Sequence, residues 1–261
     1  MRYGFCTGLA SPTMEAVDYE LLERIKKAGY DYVEFPLMLL ERLSDSQFDF
    51  LLGELDRLQL GCDCCCDMFP KSIRIVGPGV NPTIIGSYLQ RIFSRAASIG
   101  TKKIVLGSVS SRNLPDGYTT EEGYGQLTAL MVSRILPLCV KHGISIVIEP
   151  IRSAVCNFIN TLPEGMDLVH RVDSPHVTLM ADSIHMLSEH EDPNHIRQYI
   201  GSLDHVHISE MGRSLPEDSF SLGIQKILEC LKVVGYDKTI SFETKPGNIE
   251  KALALLKGAF A

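Results

Sequence analysis

Four separated stretches of this chain end on residues that bind cations or move protons. Residues 144–150, Ile-Ser-Ile-Val-Ile-Glu-Pro, deliver Glu149. Residues 177–182, Val-Thr-Leu-Met-Ala-Asp, deliver Asp182. Residues 205–209 carry His205 and His207, and residues 239–243, Thr-Ile-Ser-Phe-Glu, end on Glu243. Buried carboxylates are costly unless they are paired, hydrogen-bonded or bound to a cation. None of the four stretches contains a lysine or arginine, so a divalent metal is the economical way to neutralise three converging acids. Three oxygen donors and one imidazole, with no thiolate, suit Mn²⁺, Mg²⁺ or Co²⁺ better than structural zinc.

The elements that would position these groups follow from the pattern around them. Apolar and polar residues alternate in each stretch with the period of a strand. Pro150 lacks an N–H for a ladder and closes its strand just after Glu149. If Glu149, Asp182, His207 and Glu243 point inward, so do Val147 and Ser145, Met180 and Thr178, His205, and Ser241 and Thr239. The opposite side of all four strands is then wholly apolar. Along the whole chain, strands at 2–6, 31–35, 60–67, 103–107, 144–150, 177–182, 203–209 and 239–243 alternate with helices. The helices are expected at 17–28, 45–58, 81–99, 120–142, from 161, and at 192–200, 220–234 and 248–257. Ser11, Pro12 and Thr13 carry loop chemistry, and 108–118 reads as a longer loop. Such alternation implies a parallel sheet with right-handed crossovers. Eight units in 261 residues fit an α/β fold of one domain, residues 1–261, a single (β/α)8 TIM barrel. Neither G-x-G-x-x-G after the first strand nor a P-loop is present, which disfavours a nucleotide-binding sheet.

The formal net charge of −7 and the absence of a Lys/Arg run argue against nucleic acid as the main partner. No apolar run suggests a signal peptide or a membrane span, so a cytoplasmic protein is expected. Four of the eight cysteines fall at Cys62, Cys64, Cys65 and Cys66. Adjacent strand residues face opposite ways, so Cys65 cannot converge with its neighbours on one metal. The cluster reads as small apolar filler of a strand in a reducing compartment. Cys66, at the strand's end, can also line a pocket at the barrel's active face.

Glu149-Pro150, Asp182-x-x-His185-Met186, His205-x-His207 and the terminal Glu243 resemble the sugar isomerase/epimerase superfamily with the xylose-isomerase-like barrel. Within it, the chain is most similar to ketose 3-epimerases acting on tagatose or psicose, over nearly its whole length. The resemblance implies one divalent ion, Mn²⁺ ahead of Co²⁺, Mg²⁺ and Zn²⁺, held by Glu149, Asp182, His207 and Glu243. It also implies that Glu149 and Glu243 act as acid and base on opposite faces of a sugar, and that His185 and Arg213 contact substrate oxygens. A homodimer or homotetramer and a role in carbohydrate metabolism come with the same likeness. One position departs: those epimerases place a further glutamate six residues after the first metal glutamate, where this chain has Val155. There is no tryptophan, so Tyr3, Phe5, Tyr118, Phe158 or Phe69 is the expected sugar-stacking surface, and Phe5 and Cys66 are the substrate-binding candidates. Arg213, Lys245 and Gly247 lie where barrels often bind phosphate.

The residue types specify the chemistry expected. A carboxylate removes a proton beside a ketose carbonyl, leaving an enediolate, and a second carboxylate returns a proton to the other face. Three other readings use the same barrel. They are a metal-dependent polyol dehydratase or carbon–glycoside-cleaving enzyme, an AP-endonuclease-like hydrolase, and a non-catalytic sugar-binding barrel.

Overall fold

In the computed structural model, which describes residues 1–9 and 16–261, eight parallel strands close a barrel in sequence order. They are β1 (Arg2–Cys6), β2 (Tyr32–Pro36), β3 (Cys64–Cys66), β4 (Lys103–Leu106), β5 (Ser145–Ile148), β6 (Val177–Asp182), β7 (Leu203–Ile208) and β8 (Thr239–Glu243). β1 and β8 pair from Arg2↔Thr239 to Cys6↔Glu243, so the chain's first and last strands complete the ring. The expected (β/α)8 barrel is therefore present. The expected loop at Ser11, Pro12 and Thr13 lies outside the described residues.

The helices follow their capping chemistry. α1 (Tyr19–Ala28) starts where Asp18 accepts from the Leu21 N–H at 2.9 Å, and ends at Gly29 in the left-handed conformation. After β2 comes a short helix absent from the sequence reading, α2 (Leu37–Arg42). Pro36 ends the strand as expected, but its extended ψ leads straight into a helical turn. α3 (Asp45–Leu58) opens on a capping box from Ser44 and Gln47, and α4 (Pro82–Ser98) on Asn81 with proline at its first position. The expected loop after β4 contains a single turn, α5 (Val109–Arg112).

The helix expected at 120–142 is continuous but uneven. α6 (Thr120–Leu130) passes through a π turn at Met131–Ile135 into α7 (Leu136–His142). Pro137 has no N–H to give the preceding turn, and the wider turn immediately before it absorbs that gap. The remaining helices are α8 (Leu162–Val172), α9 (Ser183–Ser188), α10 (Asn194–Gln198), α11 (Leu222–Val233) and α12 (Ile249–Phe260). Among the described residues, no helix is long and apolar enough to cross a membrane.

Two apolar layers result from the strand alternation. Ile144, Ile146 and Ile148, with Leu179, Val206, Ile240 and Phe242, pack outward against the helices. Inside the barrel, Val147 and Met180 meet Cys6, Cys66 and Val105, which matches the expected facing. Cys64 and Cys66 turn inward. Cys65 turns outward, its Sγ 3.7 Å from Cys62 and 3.3 Å from the Thr101 hydroxyl. All eight cysteines are free and buried.

Candidate metal centre and active site

Glu149 stands immediately beyond β5, with its backbone N–H still bonded to Leu106 O at 3.3 Å. Its carboxylate occupies space that only glycine leaves open at 107. A Cβ there would lie 2.0 Å from Glu149 Oε2. Asp182 ends β6 and caps α9: its Oδ1 accepts from the N–H groups of Ile184 (2.7 Å) and His185 (3.2 Å). Its other oxygen, Oδ2, faces the barrel mouth. His207 projects from β7 and Glu243 from the end of β8. One ligand atom from each of Glu149, Asp182, His207 and Glu243 lies within 4.8 Å of all the others.

His207 Nδ1 is the pivot. It lies 3.4 Å from Glu243 Oε2, 3.8 Å from Asp182 Oδ2 and 4.0 Å from Glu149 Oε1. It is buried and has no hydrogen-bond partner. Its other nitrogen is spoken for, because Nε2 donates to Glu34 Oε1 at 3.0 Å. This arrangement orients the ring and directs Nδ1 among three carboxylates, where loss of its proton would free a lone pair for a metal. The orphaned nitrogen and the all-oxygen remainder of the set fit a divalent cation, and these four residues would hold it.

Glu34 belongs to the centre although the sequence reading quotes it only as part of a strand. It is fully buried in β2. It accepts from His207, from His205 Nε2 at 3.2 Å and from Ser241 Oγ at 2.5 Å. His205 Nδ1 lies 2.9 Å from Thr239 Oγ1, to which Lys103 Nζ donates at 3.0 Å. Lys103 also lies 3.5 Å from Asp204, at the opposite end of the strands. A polar column thus runs along the barrel axis. The available signal was a single acid inside an apolar strand, Tyr-Val-Glu-Phe.

Electrostatics in the centre are strongly coupled. Burial, then Glu243, lifts the Glu149 carboxyl to about 8. Burial acts against a charged His207, but Glu34 and Glu243 outweigh it and hold the imidazolium well above its usual range. Burial also opposes ionisation of Asp182, yet Arg213, His185 and His207 hold it below the normal carboxylate range. Arg213 donates to Asp182 Oδ2 at 2.8 Å and pairs with Glu243. Its backbone is left-handed, with φ 58°, which turns the side chain back over the centre.

Of the residues expected to touch substrate, His185 and Arg213 are at the centre. His185 Nε2 lies 3.7 Å from Glu149 Oε1 and 3.4 Å from Arg213 Nη2. Burial keeps His185 below its usual proton affinity, so it is a neutral hydrogen-bonding group. Cys66 is directed into the barrel but packs against Cys6, Sγ to Sγ 3.4 Å, in the layer with Val105, Val147 and Met180. Phe5 is not brought to the site. It is fully buried in the outer layer, its ring 5.8 Å from that of Tyr30. On β1 the inward positions are Gly4 and Cys6, so the aromatic between them faces the helices. Val155 is 40% exposed on the loop after Glu149.

A family model described as Xylose isomerase-like TIM barrel matches residues 22–259. A D-psicose 3-epimerase from Ruminiclostridium cellulolyticum is 29% identical over 255 residues, covering 93% of this chain and 83% of that protein. The crystal structure of D-psicose 3-epimerase with D-tagatose from Clostridium cellulolyticum H10 superposes with a TM-score of 0.81 at 19% identity. That match covers 98% of this chain and 90% of the other. Apo 3-keto-D-glucoside 4-epimerase from E. coli gives 0.78 at 18% identity over 99% of both chains. At these identities the two solved structures share the fold.

Proposed function

The chain belongs to the xylose isomerase-like TIM barrel family, and from that membership we propose that it is a divalent-metal-dependent sugar epimerase. It inverts a ketose by proton transfer at the carbon beside the carbonyl. The observation that carries this reading is the meeting of Glu149, Asp182, His207 and Glu243 within 4.8 Å at the strands' C-terminal ends. The 29% identity to a D-psicose 3-epimerase supports the sugar as substrate. When bound, the cation supplies Lewis-acid polarisation of the carbonyl and stabilises the negative charge of the enediolate. Mn²⁺ is the ion we assign first.

Glu149 and Glu243 come from opposite sides of the ligand set, with β6 and β7 between their strands. In the proposed reaction one removes the proton from carbon and the other returns a proton to the opposite face. As a ligand to the cation Glu149 would be ionised, the form a base requires. His185, held neutral, and Arg213 hydrogen-bond the sugar oxygens and steady the developing charge. Glu34 keeps the His207 ring in one orientation throughout.

The test is exchange of carbon-bound hydrogen with D₂O across a panel of ketoses, read by mass spectrometry with Mn²⁺ supplied. Incorporation of deuterium beside the carbonyl of at least one sugar, abolished in Glu149→Gln and Glu243→Gln, is the expected result. A Mn²⁺-loaded protein that exchanges none of them is not an epimerase of this kind.

A further inference from the structure

We propose that Arg152 makes this a site for an acidic sugar, one carrying a carboxylate or phosphate on the side that faces the loop between β5 and α8. The inference deepens the proposed function and rests on the barrel mouth being a sugar site.

Two other arginines near the mouth show how a guanidinium is normally settled here. Arg112 is fully buried and gives Nη1 to Leu106 O (3.1 Å) and Nη2 to Ile159 O (3.0 Å), with Nε against Cys156 Sγ (3.5 Å). Arg213 is matched by Asp182 and Glu243. Arg152 has no such partner. Its Nε is buried without a hydrogen bond, and the side chain forms no ion pair among the described residues. The residue is partly buried, and of its three side-chain nitrogens Nε alone is both shut off from water and unbonded. Burying a donor unpaired costs free energy that an incoming acceptor recovers.

Arg152 lies on the loop that leaves the barrel's catalytic end after Glu149. It follows Glu149 by three residues, and its carbonyl closes a tight turn by accepting from the N–H groups of Val155 and Cys156 at 3.1 and 3.2 Å. The next residue, Ser153, donates from its N–H and hydroxyl to Glu189 at 2.7 and 2.8 Å. Glu189 directly follows α9, the helix that carries His185. The loop is thereby clamped between Glu149 and the His185 helix. Residues 150–161 contain no acid and no other charge, and the acid fastened to the loop, Glu189, serves Ser153. Among the described residues no carboxylate pairs with Arg152, and that role is assigned to an anionic group on the substrate. A planar fork of N–H donors matches a carboxylate or a phosphate in two parallel hydrogen bonds.

Binding of unreactive polyols separates this inference from the reaction. D-Glucitol, D-gluconate and D-glucitol 6-phosphate are titrated into the Mn²⁺-loaded protein by calorimetry, and into Arg152→Ala and Arg152→Lys. The expected result is tighter binding of at least one anionic polyol than of glucitol, by about tenfold or more. That margin collapses in Arg152→Ala and survives in part in Arg152→Lys. Whichever anion holds the larger margin identifies the acid group. Because the side chain makes no internal hydrogen bond, truncating it leaves the fold intact, which a thermal melt checks. Equal affinity for charged and neutral polyols, no binding of either anion, or a margin unchanged in Arg152→Ala overturns the proposal. Arg152-dependent binding of an anionic polyol, with no hydrogen exchange in any ketose, keeps the acidic-sugar site and removes the epimerase.

Discussion

His207 and Glu149 hold protons that a metal ion must displace. Against the effect of burial, Glu34 and Glu243 raise the proton affinity of His207, and burial with Glu243 lifts the Glu149 carboxyl to about 8. Metal uptake near pH 7 should therefore release about two protons, measurable by calorimetry in buffers of different ionisation enthalpy. Affinity should rise with pH until both groups are deprotonated. The metal-free protein behaves oppositely. For both groups the folded state binds the proton more tightly than the unfolded chain does. Their contribution to stability is complete below the unfolded values, near 4.5 for Glu149 and 6.5 for His207. It is lost as pH rises toward and beyond about 8. Chelated protein should thus melt lower at about pH 8.5 than at about pH 6, and added Mn²⁺ should raise the melting temperature most at the higher pH. A melting curve indifferent to both pH and metal would contradict the placement of these groups.

Glu34 gives a second expectation at the same scale. Glu34→Gln keeps the shape but removes the charge that orients His207 and raises its basicity. Metal affinity should fall by about 10- to 100-fold, with the far-ultraviolet spectrum unchanged. An unaltered affinity would reduce Glu34 to filler. The candidate carboxylates Glu149, Asp182 and Glu243 were legible in the sequence because each stands at the end of its own strand, where the local alternation indicates its side, and the family resemblance chose His207 over His205. Glu34 was not, because its partners His205 and His207 lie 171 and 173 residues away. Only the closed register shows that β2 and β7 share an interior.

Strands and helices divide the work between an outer layer that holds the barrel together and an inner one that carries chemistry. Phe5 illustrates how a single-position error reverses a role. Read as a sugar platform, it proves to belong to the outer layer, because the strand's period of two gives the interior to Gly4 and Cys6. Gly4 is needed there, since a Cβ would lie 2.2 Å from the Tyr32 ring. Phe5→Ala should accordingly lower stability by about 3–5 kcal/mol, seen in denaturant melts, while metal affinity measured on the folded protein stays the same. A loss of metal or sugar affinity without a loss of stability would restore Phe5 to the site. The long helices were legible from the sequence pattern, with Ser44 or Asp45 and the pair Asn81-Pro82 marking two of their starts. The short ones, α2, α5 and α9, were not. Four to six residues are too few to show a helical period, and α9 is capped by Asp182, which the sequence offers first as a metal ligand.

At the scale of the whole molecule, eight strands enclose a site that no subset of them could build. Glu149, Asp182, His207 and Glu243 arrive from β5 to β8, Glu34 from β2, and the space beside Glu149 from Gly107, just past β4. Pairing of β1 with β8 keeps Glu243 and Glu34 on one ring, so the charge balance of the centre depends on closure. Alternating strands and helices made the barrel legible. The sequence could not show how deep the polar interior reaches, because Lys103, Thr239 and His205 look unremarkable until the barrel stacks them.

That stack, from Lys103 through Thr239, His205 and Glu34 to His207, has a consequence for anyone who would redesign this scaffold. Barrels of this class invite the exchange of rim loops, on the view that the floor is inert ballast. Here the floor is wired to the rim. Transplanting the loops alone onto another eight-stranded host would carry the ligands without the rod that aims one of them, and the guest centre would have its histidine adrift.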